Sequence, residues 1–172
     1  ATGSIVNEGS LTAGLGGYIA LLAPEVRNQG VVLAQMGGTV ALAAGESFQL
    51  QFNSNNQLTN VLVTPATIQT LVDNGNAVQA PGGLIILSAQ AASSLLGGVV
   101  KNTGTLAATG LVNEGGVIRL TASNKIELAP TSTITNGPCS PSKTQTTRSL
   151  RANKPGTPRA VVGFTENRSP GT

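Results

Sequence analysis

The side chains that most often carry out catalysis are scarce in this sequence. Its 172 residues include no histidine, which excludes Ser–His and Cys–His nucleophilic catalysis and most zinc and copper sites. Cys139 is the single cysteine, so an intrachain disulfide is excluded, and we interpret this residue as an unpaired bystander rather than a nucleophile. Ser93 and Ser94 have no base available to activate them, and they suit a helix cap or the surface.

Carboxylates are the second possible source of chemistry, because enzymes that cleave polysaccharides use paired acidic side chains. The six acidic residues of positions 1–136 are scattered along the sequence. Asp73, the only aspartate, stands in a DNG turn, and Glu8 and Glu114 stand in predicted corners. The GLGG stretch at 14–17 is too short for a dinucleotide fingerprint and also predicts a corner. We therefore expect no enzymatic activity, no catalytic residue, no cofactor and no metal, and keep a polysaccharide-processing enzyme as an alternative.

Charge is distributed unevenly along the chain. Residues 1–136 carry four cationic and six acidic side chains, a net charge of −2, whereas residues 137–172 carry six and one, a net charge of +5. The basic stretch KTQTTRSLRANKPGTPR has no interleaved aromatic residue, so no nucleic-acid partner is expected. Residues 138–172 are rich in Pro, Ser, Thr, Lys and Arg without a period, and we expect them to be a largely disordered tail.

The apolar runs of the sequence are short. A membrane span needs roughly 18 or more consecutive apolar residues, and no run approaches that length. The first residues, ATGSIVNEG, do not resemble a signal peptide. No membrane span is therefore expected.

The strongest signal is a repeat that follows each glycine pair, in GGYIALLA, GGTVALAA, GGLIILSA and GGVIRLTA. Ile or Val stands two residues after the second glycine, Leu four after it and Ala six after it, while the residues between them vary. This alternation with a period of two indicates a strand with one buried face. The fixed columns are Ile19, Val40, Ile85 and Ile118; Leu21, Leu42, Leu87 and Leu120; and Ala23, Ala44, Ala89 and Ala122.

A second pattern, centred on asparagine, precedes each glycine pair. An aliphatic residue stands two positions before the asparagine, another stands four after it, and Ala stands six after it. A glycine also follows closely. Because Asn and Gly tolerate positive φ at low cost, these sites predict corners between two short strands. The asparagines are Asn7, Asn28, Asn74 and Asn102.

Each unit is thus predicted to run strand, Asn-Gly corner, strand, Gly-Gly corner, strand. Three short strands in about twenty residues match one turn of a parallel β-helix, in which each turn stacks on the last at about 4.8 Å. The sequence therefore predicts an all-β parallel β-helix over residues 1–137. An antiparallel β-sandwich, which also alternates, is the alternative fold.

Insertions interrupt the pattern at two places. FQLQF (48–52) and LTNVLV (58–63) flank NSNNQ and predict a hairpin. TPATIQTLV (64–72) predicts a short helix, because Thr64 suits an N-cap and Pro65 suits the first helical position. AQAASSLLGG (89–98) predicts one or two helical turns. We expect these insertions to emerge from corners between strands.

The end of the repetitive region shows one further partial unit. The spacing of Ile134, Asn136 and Gly137 predicts the first strand and corner of a new unit. The positions that should then hold aliphatic and Ala residues hold Ser140 and Ser142 instead. This loss of the pattern within a unit suggests a truncated or frame-shifted reading frame.

The repeats also support a family resemblance. The stretches GGYIALLAPEVRNQG, GGTVALAAGESFQLQF and LVDNGNAVQAPGGLIILSAQAASSLLGGVVKNTGTLAA closely resemble the N-terminal haemagglutination-activity region of filamentous haemagglutinin-like adhesins, over about residues 3–128. Contact-dependent growth-inhibition toxins share this region. The resemblance implies a right-handed parallel β-helix, a single-stranded solenoid, in long extracellular rods exported by two-partner secretion.

The resemblance also implies a function. We expect a non-enzymatic structural segment of a secreted or cell-surface bacterial adhesin that acts in surface attachment. Its expected partners are the outer-membrane transporter of the two-partner secretion system and a host or neighbouring-cell surface. The secretion region of a contact-dependent growth-inhibition toxin is the alternative. The sequence lacks the family's usual NPNG secretion motif and a leader. We therefore expect the chain to be a fragment that is not exported on its own.

Overall fold

The chain folds into β-strands joined by tight turns. The computed structural model describes residues 3–93, 95, 97–110, 115–137 and 159–162, the last four by their backbone. No helix occurs in these ranges, so the all-β prediction is confirmed for them. Numbered in chain order, the first strands are β1 Ser4–Asn7, β2 Ser10–Ala13, β3 Tyr18–Leu22, β4 Glu25–Asn28, β5 Val31–Ala34, β6 Thr39–Ala44, β7 Ser47–Phe52 and β8 Leu58–Thr64. The others are β9 Leu71–Asn74, β10 Ala77–Gln79, β11 Leu84–Ala89, β12 Val99–Asn102, β13 Thr105–Ala107, β14 Val117–Ala122, β15 Lys125–Leu128, β16 Thr133–Thr135 and β17 Arg159–Val162.

Three sheets collect the equivalent strands of successive repeats. The first sheet has the order β1-β4-β9-β12-β15, the second β2-β5-β10-β13-β16 and the third β3-β6-β11-β14-β17. Neighbouring strands are parallel in every pair of these sheets except β14–β17, which is antiparallel. Strands that are distant in sequence therefore become neighbours in space.

The predicted columns lie in register. Leu42 pairs with Leu21 on one side and with Leu87 on the other, and Leu87 pairs in turn with Leu120. The Ile/Val column aligns in the same way on the same four strands. The sequence prediction that equivalent residues stack directly on one another is confirmed.

The fixed columns of all three sheets face one common core. Its members are aliphatic or alanine, and most are fully buried: Val26, Val32, Val40, Leu42, Val72, Val78, Ile85, Leu87, Val100, Leu106, Ile118 and Leu120 form its larger part. Burial of each such side chain contributes roughly 1.5–3 kcal/mol. Alanines at the strand ends, such as Ala44 and Ala89, complete the packing where the chain turns.

The two glycines of each pair have different roles. In the first three pairs the first glycine adopts positive φ, +64° at Gly16, +74° at Gly37 and +62° at Gly82, a conformation that side chains with a Cβ rarely adopt. The second lies against the preceding repeat: a Cβ on Gly83 would come 1.9 Å from the carbonyl oxygen of Gly38. One glycine thus makes the turn, and the other permits close stacking.

The repeated asparagines do not adopt positive φ. The prediction that they occur at corners because asparagine tolerates positive φ is therefore wrong. Among the described residues, the only residue other than glycine with positive φ is Asn56. The repeated asparagines instead end the strands of the first sheet with their side chains buried. Their amides form a continuous ladder: Nδ2 of Asn7 donates to Oδ1 of Asn28 at 2.8 Å, Asn28 to Asn74 at 2.9 Å, and Asn74 to Asn102 at 2.8 Å.

The predicted hairpin is confirmed, since β7 and β8 pair in antiparallel register with an irregularity at Gln51 and Phe52. Both helical predictions are wrong for the described residues. β8 runs through Thr64, and β9 begins at Leu71. Ala66 forms a parallel bridge with Ala91, so pairing between the two linkers overrides the local helix signals. Ser94 and Leu96 of the second predicted helix lie outside the described residues.

The prediction of a new unit at Ile134 and Asn136 is also wrong. Ile134 pairs with Leu106, which places it in the second sheet. The unit begins earlier, with β15, where Ile126 continues the aliphatic column and Leu128 occupies the position of the buried asparagines. Leucine in place of asparagine hid this unit from the sequence pattern.

Four residues of the predicted disordered tail form a strand. β17 pairs with β14 and covers the edge of the third sheet, with Val162 opposite Ile118 and Arg159 opposite Thr121. The expected disorder therefore does not apply to residues 159–162. The rest of the tail lies outside the described residues.

Candidate functional site

Among the residues considered above for chemistry, those that the structure describes are not brought together. Glu8 is exposed in the turn after β1, and Ser93 is half-buried. Asp73 lies within β9, and the turn follows at Gly75, so the prediction of a turn aspartate is wrong by two residues. Gly16 makes the predicted corner before β3. Cys139, Ser94 and Glu114 lie outside the described residues.

The most distinctive outer surface is the hairpin β7–β8, which lies flat on the third sheet. Leu58 and Val61 of β8 pack on Ala41, Ala43 and Ile86, forming a second buried cluster outside the common core. Thr39 Oγ1 donates a 2.7 Å hydrogen bond to the carbonyl of Leu58. The part of the third sheet beneath the hairpin is thus covered on both faces, and all six residues of β6 are buried.

The face of the hairpin that points away from the sheet is uncharged and mainly polar. Ser47 Oγ donates to Thr64 Oγ1 at 2.7 Å, and Asn60 Nδ2 donates to Gln51 Oε1 at 2.9 Å. Gln49 is exposed opposite Leu62, which is 45% exposed. We call the exposed side chains of β7 and β8, together with the turn 53–57, the hairpin surface.

The tip of the hairpin is held rigidly by its own side chains. Asn53 Oδ1 accepts hydrogen bonds from the backbone N–H groups of Asn55 and Gln57, at 2.9 and 3.0 Å, and Asn53 Nδ2 donates to Gln57 Oε1. Phe52 contacts Tyr18 of β3 edge-on, with ring centroids 5.3 Å apart. The tip therefore presents amide groups beside two partly exposed aromatic rings.

A shallow groove of about 230 Å³ runs between β8 and the start of the third sheet. Leu84 and Val117 form part of its floor, and Thr39 and Thr59 line one side. Arg119 also lines it and donates from Nη1 to the carbonyl of Thr59 at 3.2 Å. This hydrogen bond fixes Arg119, the one cation among the described residues that line the groove, against the hairpin backbone.

The outer face of the first sheet is charged. Arg27 forms ion pairs with Glu25 and, at 3.5 Å, with Asp73, while Lys125 pairs with Glu127. The hydrogen bond and the charge of Glu25 raise the pKa of the Arg27 guanidinium, and the charge of Asp73 acts in the same direction. The hydrogen bond and the charge of Lys125 lower the pKa of Glu127.

The hairpin surface carries groups that can bind an uncharged polar ligand. Amides, hydroxyls and aromatic edges form hydrogen bonds and stacking contacts with uncharged polar ligands. In the described ranges no group of three or more His, Cys, Asp or Glu residues is placed to hold a metal ion. The same ranges contain no helix with the length and apolar character needed to cross a bilayer.

The burial of the outer face of the third sheet was missed by the sequence reasoning. The pattern was interpreted as one buried and one free face, yet the outward positions that contact the hairpin include Ala41, Ala43 and Ile86, which are small or apolar. An apolar residue in the outward columns was the available signal that something covers them.

Comparisons of the chain with protein-family models, curated proteins and solved structures return no match.

Proposed function

We propose that this chain is a non-enzymatic structural segment of a secreted bacterial adhesin, folded as a right-handed parallel β-helix and exported by two-partner secretion. The single observation that carries the proposal is the register of the three parallel sheets, in which equivalent residues of successive repeats stack on one another. Three sheets around one aliphatic core are the arrangement that a β-helix requires.

The sequence resemblance connects this architecture to adhesion. The stretches that resemble filamentous haemagglutinin-like adhesins include the glycine pairs and asparagines that form the stack. A stiff stack suits a rod that holds a contact surface away from the cell. In this proposal the outer-membrane transporter and a host or neighbouring-cell surface are the partners, and the location is extracellular.

The hairpin surface is the proposed attachment region. An insertion that projected from a corner would be mobile, whereas this hairpin is anchored by a buried cluster and by Arg119. A fixed, uncharged surface of amides and hydroxyls loses little conformational entropy when a polar ligand binds it. Because the hairpin surface lies on the side of the stack, it stays accessible when many repeats are stacked into a long rod.

An adhesion assay tests the proposal. Beads coated with the chain are expected to attach to epithelial or bacterial cells, and the double variant Gln49→Ala/Gln51→Ala is expected to reduce attachment by about tenfold, the effect of losing about 1.4 kcal/mol. The matched control is Ser10→Ala/Thr12→Ala on the exposed face of the second sheet. Equal attachment of both variants argues against the hairpin surface, and no attachment by the unaltered chain argues against the adhesin.

A further inference from the structure

The outward side chains of the first sheet form two rows, and four of its five strands contribute the charged part of these rows. On β4, β9, β12 and β15 the first outward row is Glu25, Leu71, Val99 and Lys125. The second outward row is Arg27, Asp73, Lys101 and Glu127. The inward neighbours of both rows belong to the core or to the amide ladder, so the two rows form the whole outer face of these strands.

Each row is complementary to itself when its order is reversed. The second row alternates positive, negative, positive, negative. The first row is negative at one end, positive at the other and apolar in the middle. A reversed copy of this face therefore sets every charge opposite a charge of the other sign and sets Leu71 opposite Val99.

We propose that this face, which we call the charged face, binds the same face of a second copy of the chain. The two copies are related by a two-fold axis parallel to the strands and passing between β9 and β12. This axis reverses the order of the strands and keeps each row opposite itself, as an isologous dimer requires. The contacts across it are Glu25–Lys125, Leu71–Val99, Arg27–Glu127 and Asp73–Lys101, each made twice.

Lys101 gives independent support. The ion pairs of the charged face join Arg27 to Glu25 and Asp73, and Lys125 to Glu127, which leaves Lys101 without an ion pair among the described residues. In the proposed dimer Lys101 gains Asp73 of the second copy. Asp73 and Lys101 lie beside the two-fold axis, where desolvation is greatest and a matched charge contributes most to specificity.

The charge pattern also favours this alignment over its neighbours. If the axis moves by half a strand spacing onto β9, Asp73 faces Asp73 and Arg27 faces Lys101. If it moves onto β12, Lys101 faces Lys101 and Asp73 faces Glu127. Both of these half-strand shifts bring like charges together, which disfavours them by repulsion. Shifts by a whole strand spacing avoid like charges but match fewer opposite ones: an axis between β4 and β9 leaves Lys101 opposite Val6 and Glu25 opposite Leu71.

The size of the face determines how strong the pairing is. Four strands spaced about 4.8 Å apart, each with four residues that rise about 3.3 Å, cover an area of roughly 250 Å² on each copy. A stable complex buries about 800 Å² on each partner. The intrachain ion pairs also compete with the new ones. The dimer is therefore weak, with a dissociation constant of about 1 mM, and pairing gains strength only where several such faces act together.

Disulfide trapping tests the contacts directly. In a Cys139→Ser background, a Leu71→Cys chain and a differently tagged Val99→Cys chain are mixed at about 1 mM and oxidised. We expect the mixed disulfide to exceed either homodisulfide by about tenfold, because only the proposed axis places Leu71 opposite Val99. The two cysteines are kept on separate chains because Leu71 and Val99 are also neighbours within one chain.

Charge reversal provides the second arm. Lys101→Glu in both chains is expected to lower the mixed disulfide about tenfold, and adding Asp73→Lys is expected to restore it. Ser10→Glu/Thr12→Glu on the second sheet makes the same change in net charge and is expected to leave the yield unchanged. Homodisulfides as abundant as the mixed product, a yield unaffected by Lys101→Glu, or no disulfide at all would overturn the proposal.

Discussion

At the scale of single residues, the buried asparagines stabilise the stack through side-chain amides. Asn74 is fully buried, accepts from Asn28, and donates to Asn102 and to the carbonyls of Asn76 and Thr105. A buried amide is stabilising only while its hydrogen bonds are made, so each member of the ladder depends on its neighbours.

Removing the central amide is expected to be costly. Asn74→Ala should lower the free energy of unfolding by about 2–4 kcal/mol, because it deletes several buried hydrogen bonds and leaves polar atoms of Asn28 and Asn102 without their partner. Asn60→Ala, which deletes the exposed bond to Gln51, should change it by less than about 0.5 kcal/mol. Urea denaturation of both variants measures the difference, and equal effects would contradict the role given to the ladder.

Two glycines at equivalent positions provide a test of the close stacking. A Cβ on Gly30 would come 1.9 Å from the carbonyl oxygen of Gly9, whereas a Cβ on Gly9 meets nothing within 4 Å. Gly30→Ala should therefore destabilise the chain by about 1–3 kcal/mol, and Gly9→Ala should have little effect. Thermal unfolding of the two variants checks this, and an unchanged midpoint for Gly30→Ala would show that the repeats can move apart.

The ion pair of Glu127 gives a prediction about pH. Lys125→Ala should raise the pKa of Glu127 towards its ordinary value of 4.5. Lys101→Ala should raise this pKa less, because Lys101 acts on Glu127 by charge alone and more weakly than Lys125 does. Since the folded pKa is lowered, the stabilisation from this pair is present above pH 4.5 and is lost as the pH falls through the folded pKa. NMR titration of the Glu127 carboxyl measures both shifts, and a larger effect of Lys101→Ala would contradict the assignment.

At the scale of elements, the hairpin β7–β8 has two faces with different energetic roles. Leu58 is 2% exposed and packs on the third sheet, whereas Leu62 on the same strand points outward. Leu58→Ala is expected to cost about 2–4 kcal/mol and to increase hydrogen exchange in the hairpin, while Leu62→Ala is expected to cost less than about 0.5 kcal/mol. Similar costs for the two variants would mean that the hairpin is not held by its buried face.

The elements that the sequence predicted well are those that repeat. Columns such as Leu21, Leu42, Leu87 and Leu120 recur because stacking imposes the same constraint on each repeat, so alignment of the repeats was enough to find the register. The hairpin was predicted from local alternation around a polar turn.

The elements that were mispredicted depend on contacts that are distant in sequence. Thr64 and Pro65 resemble a helix start, but Thr64 pairs with Ser47 and the following residues are held by Ala91. The buried role of the asparagines depends on amides at least 21 residues away, and the cover of the third sheet depends on an insertion. The helix signals and the asparagine positions carry no local trace of these contacts, whereas the cover of the third sheet is indicated only by apolar residues in its outward columns.

At the scale of the whole molecule, β17 closes one end of the third sheet. Deletion of residues 138–172 removes this strand and exposes the edge of β14, so we expect lower stability and faster aggregation, because unpaired strand edges recruit other chains. Deletion of residues 163–172 alone keeps β17 and is expected to preserve both properties. Light scattering and thermal unfolding distinguish the two, and identical behaviour would show that β17 does not protect the edge.

The amide ladder also gives the molecule a net dipole along the axis of the stack. Each Nδ2 donates towards the later repeat and each Oδ1 accepts from the earlier one, so the asparagine dipoles add head to tail instead of cancelling. Asn102 is the last acceptor of the ladder, and its own Nδ2 donates to the carbonyl of Gly104 because the next position, Leu128, offers no amide. A repeat added with its asparagine amide reversed would place Nδ2 against Nδ2 or Oδ1 against Oδ1. The amide dipoles therefore favour lengthening of the ladder in one direction only.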